Sequence, residues 1–324
     1  MDYNKHDALD AIRKKLIGKT LTYKEIYAIM DQIADDKLGD ILTTYFVASG
    51  YSRGFTDKEL YYLTKAMVET GEQLHFKGVV ADKHSIGGSP GGRITMIVVP
   101  IIAAAGFKIP KSSSRAITTP AGTADAMEVL ANVTFNKREI YSIVEKVGAC
   151  IVWGGSFKIA PADDEIIRIE EPLLFESFDK VLVSVMAKKI AFGISHVVID
   201  MPYGKTAKVN SKQDAIEFAA KFVHLAKQFD IKTEVMLRKI DEPPGYGVGP
   251  LLEARDALAV LEQVDYPEEL EARAIDISAA LLDLCLTDSS KKLSEHVKSE
   301  YGDSKSWAKE ILQSGKAHAK MMEI

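Results

Sequence analysis

Apolar positions such as Ile26, Ile29, Ile33, Leu60, Leu63 and Met67 recur at three- and four-residue spacing through the first 71 residues. That spacing predicts a small layer of amphipathic helices. Thr22 with Glu25, and Thr56 with Glu59, have the spacing of capping boxes. Gly18 and Gly71 fit helix ends. From His75 the pattern changes. Short runs rich in β-branched residues predict strands at 79–83, 149–153, 196–201 and 232–237. Longer runs with the helical period predict helices at 95–105, 121–130, 138–147, 178–192 and 212–229, the last capped by Ser211. Pro243, Pro244, Gly245, Gly247 and Gly249 break the pattern, and the remainder reads as helical. Strands alternating with helices imply an α/β fold, a mostly parallel sheet flanked by helices, beside a smaller all-helical domain.

Composition narrows the class. The chain has 324 residues, 47% hydrophobic and 27% charged, which suits a globular protein with a substantial core. A net charge of −5 gives no broad basic surface for a nucleic-acid polymer. The longest apolar run, 96–107, is too short to span a bilayer and reads as a buried helix. Cys150 and Cys285 have no paired spacing, so neither a disulfide framework nor a zinc site is expected. The charged, helical start MDYNKHDALDAIRKK is unlike a signal peptide, and a reducing cytoplasm is the expected compartment.

The candidate chemistry is concentrated in two polar, glycine-bearing loops around that apolar helix. The first offers Lys83, His84, Ser85, Gly87, Gly88, Gly91 and Gly92; the second offers Ser112, Ser113, Ser114, Arg115, Thr118, Thr119 and Thr123. Glycines let a backbone approach a ligand, and helix N-termini carry orphan N–H groups suited to an anion. Hydroxyls, a Lys and an Arg add donors. Two such loops flanking one helix point to an anion or phosphate site. Other motifs are excluded. Gly204-Lys205-Thr206 ends like a P-loop, but Ile199 stands where its first glycine is needed. The glycines at 245, 247 and 249 lack dinucleotide-binding spacing. Ser184 and Lys188 are four apart and share a helix face. Lys208 follows a strand at its carboxyl end, where open α/β sheets place ligands.

DKHSIGG, IVVPIIAAAG, KIPKSSSRAIT and PAGTADAMEVL resemble the thymidine phosphorylase and AMP phosphorylase family, with SSRAIT and PAGTAD closer to the AMP branch. The resemblance spans nearly the whole chain, including GPLLEARDAL, but not the extra N- and C-terminal domains of AMP phosphorylases. It implies phosphorolysis of AMP to adenine and ribose 1,5-bisphosphate. A pyrimidine nucleoside phosphorylase and a truncated, non-catalytic nucleotide-binding module are the alternatives. By resemblance, Lys83, Ser85, Thr95, Ser113 and Thr123 hold phosphate. Gly88 and the run Ser114, Arg115, Ala116, Ile117, Thr118 and Thr119 line the nucleotide phosphate and sugar, and Lys208 contacts the nucleotide. Arg168, Ser184 and Lys188 face the base, as does His84, expected neutral beside Lys83. Glu176 stands where the AMP branch has an Asp proton donor, with Asp179 as a substitute. The catalytic expectation is therefore Glu176, His84 and Lys188. The expected organisation is 1–71 with 160–193 as a helical domain, serving dimerisation and the base side, and 72–159 with 194–324 as the phosphate- and nucleotide-binding domain. The expected partners are small molecules and a second copy in a homodimer, with no membrane. No cofactor is expected beyond the co-substrate phosphate; some relatives hold a monovalent cation near the positions of Gly87, Gly88 and Glu253.

Overall fold

The computed structural model describes residues 5–87, 90–116, 119–171 and 177–324. The expectations at Gly88, Ile117, Thr118 and Glu176 lie outside the described residues. The chain divides into two compact units, Met1–His75 with Phe157–Gly193, and Phe76–Ser156 with Ile194–Ile324.

The first unit is helical. Its helices are Lys5–Leu16, Tyr23–Ala34, Asp40–Arg53, Asp57–Glu69, Pro161–Glu170 and Phe178–Ala191. Ile12, Ile26, Ile29, Ile33, Leu63, Leu182 and Met186 fill its core; full burial of each aliphatic side chain contributes about 1.5–3 kcal/mol. Both capping boxes are formed. Glu59 has a second role. One carboxylate oxygen caps Thr56, and the other receives the Lys15 ammonium at 2.8 Å and the Leu21 N–H at 3.0 Å. Both side chains of that ion pair are buried, and Lys15 also lies 4.6 Å over the Phe55 ring. Burial pushes the Glu59 carboxyl up, but the hydrogen bonds from Lys15, Thr56 and Leu21 outweigh it and leave the group below its ordinary value.

The second unit is α/β. Its strands are β1 (Ala81–Ser85), β2 (Ile109–Ser113), β3 (Ala149–Trp153), β4 (His196–Tyr203) and β5 (Lys232–Lys239). They form a parallel three-stranded sheet in the order β1-β4-β5 and a parallel pair β2-β3. A parallel bridge, Val80 to Lys108, joins the two at the start of β1 and β2. The helix Thr95–Ala104 is apolar all round and almost wholly buried, as such a helix must be. It belongs to one hydrophobic core with Val198 and Ile151 of the strands and with Leu281, Leu282 and Ile311 of the C-terminal helices.

Two local features depart from the sequence reading. β1 runs on through His84 and Ser85, which the hydropathy pattern assigned to a loop. The segment Ile109–Ser113 is a buried strand rather than loop. Its Pro, Lys and serines hide it from propensity, but its place in the sheet tolerates the proline. Ile109 donates its N–H toward β3, to the Gly148 carbonyl at 2.9 Å. Alternation therefore turns the protonless Pro110 nitrogen toward β1, where the described pairing stops at Lys108.

Candidate active site

Parallel pairing puts the carboxyl ends of β1, β2 and β4 on one edge. Ser85, Ser113 and the turn carrying Lys208 all lie there. The Lys83 side chain is enclosed, with its ammonium against the Ser85 hydroxyl, 3.4 Å from Thr95 Oγ1 and 3.8 Å from Asp200 Oδ2. Ser85 in turn donates to Asp200 at 2.8 Å. Lys83, Ser85 and Thr95 thus converge, with Thr95 supplied by the first turn of the buried helix. Asp200, on β4, was not anticipated; its only sequence signal is one acid in an apolar strand. Ser113 ends β2 and is buried, and its hydroxyl has no hydrogen-bond partner among the described residues. Such a group is costly unless something else satisfies it.

The second loop is built around Asp125, also unforeseen. One of its carboxylate oxygens accepts from the Ala116 N–H at 2.7 Å and from the Gly122 N–H at 2.8 Å. At Gly122 a Cβ would stand 2.2 Å from the Ser114 carbonyl oxygen, so this crossing admits only glycine. The Ala124 N–H closes the loop onto that carbonyl at 3.2 Å, and Thr123 opens the short helix Thr123–Glu128. Arg115 donates to Glu128 at 2.9 Å and to Asp125 at 3.2 Å, and stacks 4.8 Å over the Trp153 ring. Ser114 and Ala116 are exposed, and the Thr119 hydroxyl donates to the Ala121 carbonyl at 2.8 Å.

The first loop leans on residues 243–249. Gly91 has a φ of +73°, and a Cβ there would lie 3.0 Å from both the Gly247 oxygen and Pro243. Glu253, expected near a cation, is buried with one oxygen on Arg93 and the other accepting the Gly249 N–H at 3.0 Å. Lys208 is half-buried in the turn that the Gly204 N–H closes on the Val209 carbonyl at 3.0 Å. His84 is half-buried on β1. Beneath the loops, Lys111 pairs with buried Asp82 at 3.4 Å, and burial pushes the Cys150 thiol up to about 12, where it is inert.

In the helical unit, Ser184 and Lys188 do share a face, and a third residue joins them. The Asp163 carboxylate is fully buried. Its Oδ2 accepts from the Ser184 hydroxyl at 2.7 Å and from the Lys188 ammonium at 2.8 Å. Its Oδ1 has no hydrogen-bond partner among the described residues. Burial raises the Asp163 carboxyl, but Lys188, Lys180 and the two hydrogen bonds prevail and hold it below its usual value. Burial lowers Lys188, and Asp163 and Asp164 more than reverse that, so it stays charged. In sequence, Asp163 looks like an ordinary acid in a helix's first turn. Arg168 stands apart from this group. It is exposed, and pairs with Asp40 at 2.6 Å and Glu165 at 2.9 Å. Asp179 lies in the first turn of Phe178–Ala191.

Residues 77–318 match the glycosyl transferase family a/b domain, and residues 9–71 match that family's helical bundle domain. The chain belongs to the glycosyl transferase family. It is 44% identical over 318 residues to an AMP phosphorylase of Methanospirillum hungatei, and 42% identical over 318 residues to that of Thermofilum pendens. A putative thymidine phosphorylase of Legionella pneumophila is 39% identical over 320 residues. Each match covers 98% of this chain but only 59% or 60% of the relative. The fold matches anthranilate phosphoribosyltransferase from Thermus thermophilus, with a TM-score of 0.76 at 17% identity over 97% of both chains. The yeast Saccharomyces cerevisiae enzyme, solved with PRPP and Mg, gives 0.73 at 14% identity over 99% of this chain and 97% of its own. No helix among the described residues is long and apolar enough to cross a membrane.

Proposed function

We propose that this chain carries the catalytic core of a pentosyl-transferring phosphorylase acting on a nucleoside 5′-monophosphate, AMP plus phosphate giving adenine plus ribose 1,5-bisphosphate. The observation that carries this reading is the convergence of Lys83, Ser85 and Thr95 on a sheet edge where the buried Ser113 hydroxyl has no hydrogen-bond partner among the described residues. Phosphate is already a nucleophile, so the protein has only to hold it and aim it at C1′ of the sugar. A phosphate oxygen forms the new bond to C1′ as the glycosidic bond breaks through an oxocarbenium-like state. The bonding pair leaves with the base, which takes up a proton. Lys83, Ser85, Thr95, Ser113 and Thr123 would hold the attacking phosphate, and Lys208 with residues 114–119 the nucleotide's own phosphate and sugar. Ser184 and Lys188 would meet the base, with His84 as a neutral hydrogen-bond partner. Glu176 would supply the proton, and Asp179 is the alternative donor. The identity to two AMP phosphorylases supports the nucleotide preference.

The deciding experiment is release of free base from AMP, adenosine, uridine and thymidine with and without phosphate. Phosphate-dependent release from AMP is expected. Release from thymidine but not from AMP would favour the pyrimidine nucleoside reading, which the Legionella relative supports. Binding without turnover in either would reduce the chain to a nucleotide-binding module. A homodimer through the Asp40–Arg53 helix belongs to the same proposal, since Ile41, Tyr45 and Tyr51 are exposed there; sedimentation of an Ile41→Asp, Tyr45→Asp variant as a monomer would support it.

A further inference from the structure

We propose that Asp163 is a positioning residue that fixes the hydrogen-bonding sense of Ser184, so that Ser184 accepts from an exocyclic amino group of the base while Lys188 donates to the ring nitrogen beside it. This rests on the phosphorolysis reading only for what is bound, not for whether it turns over. A serine hydroxyl has one proton and two lone pairs. That proton is committed to Asp163 Oδ2 at 2.7 Å. Toward any ligand Ser184 can then only accept. The Lys188 ammonium spends one of its three protons on the same oxygen at 2.8 Å and keeps the others, and its side chain is 24% exposed. One helix turn thus presents an acceptor beside a donor.

The burial of Asp163 makes the arrangement directional. A buried carboxylate accepts and never donates while it is ionised. Lys188 and Lys180 hold it ionised. Ser184 therefore cannot turn round and donate to the base without leaving that charge short of a hydrogen bond it needs. In adenosine monophosphate the only N–H donors on the base are those of the 6-amino group, and N1 and N7 flank it as acceptors. The pair fits that edge. A purine lacking the amino group offers Ser184 nothing to accept.

The test is calorimetric binding of AMP and of purine riboside 5′-monophosphate, the same nucleotide without the amino group. Wild-type protein is expected to bind AMP about tenfold more tightly. Ser184→Ala should bind both nucleotides equally, at the weaker value. Asp163→Asn should shrink the preference several-fold and leave inorganic phosphate binding unchanged. A mere structural role for Asp163 would lower both nucleotide affinities together and keep their ratio. Equal binding of the two nucleotides by wild type, or an intact preference in Ser184→Ala, overturns the proposal. If Asp163→Asn fails to fold, Asp163→Glu takes its place, with a shrunken preference expected and an intact one overturning the positioning role. Loss of the phosphorolysis reading would show separately, as the expected binding ratio with no release of base.

Discussion

Lys83 and Ser85 meet Asp200 in one unit; Ser184 and Lys188 meet Asp163 in the other. The residue types are the same and the wiring differs. In the α/β unit the lysine reaches its carboxylate chiefly through serine, which donates to Asp200 at 2.8 Å while the ammonium stays 3.8 Å away. In the helical unit the ammonium sits directly on the carboxylate at 2.8 Å. At equal dielectric the longer separation weakens the attraction by roughly a quarter. The Ser85 and Thr95 hydroxyls stand beside the Lys83 ammonium as further polar groups for an anion. The Lys188 ammonium is paired directly with its carboxylate, and what it offers beside that pair is a directed N–H. The proposed function puts phosphate at the first arrangement and an uncharged ring at the second.

A third pair, Lys15 with Glu59, calibrates the other two. It is as short as the Lys188 contact at 2.8 Å, but both its side chains are buried and a capping box surrounds it. Removing one partner of a buried pair leaves the other uncompensated, so Glu59→Gln should cost about 3 kcal/mol in chemical denaturation. The nucleotide and phosphate constants of the folded enzyme should not move. The folded-state pKa of Glu59 lies below its ordinary 4.5. Its contribution is thus present above that value and is lost as pH falls through the lower, folded one. Acid titration of stability should show this loss in the wild type and not in Glu59→Gln. A variant of unchanged stability would mean that short buried lysine pairs here do not report structural roles.

Lys83→Ala and Lys188→Ala should then fail in opposite ways. A hydrogen bond to a charged group contributes about 1.5–3 kcal/mol, so loss of Lys83 should raise the phosphate KM on the order of a hundredfold. The nucleotide KM should change little. Loss of Lys188 should raise the nucleotide KM about tenfold and spare phosphate. Steady-state kinetics with each substrate varied in turn will separate them. Parallel changes in both constants for both variants would erase the distinction drawn from the wiring.

The sequence shows half of each arrangement. Lys83, Ser85, Thr95, Ser184 and Lys188 stand out because loops, strand ends and helical spacing are local signals. Asp200, Asp125 and Asp163 do not, because each earns its role from partners distant in the chain or across a loop. A lone Asp in an apolar strand, or in the first turn of a helix, has a commoner explanation. The helical caps at Thr22, Thr56 and Ser211 were legible for the opposite reason, since each is complete within four residues. Strand β2 was hidden because its fitness as a strand depends on what lies beside Pro110, not on its own composition.

The smallest expected effect is the sharpest test of the phosphate edge. Ser113 is buried with its hydroxyl unsatisfied among the described residues. If that hydroxyl served the fold, Ser113→Ala would destabilise the protein. If it serves a ligand, the substitution removes a desolvated polar atom, and stability should hold or rise by up to about 1 kcal/mol. Phosphate binding should weaken about fivefold at the same time, the share of one neutral donor. The two readouts move in opposite directions only for a group kept for something other than folding. A thermal melt alongside phosphate titration of the same sample would show it, and a drop in melting temperature with unaltered phosphate affinity would remove Ser113 from the site.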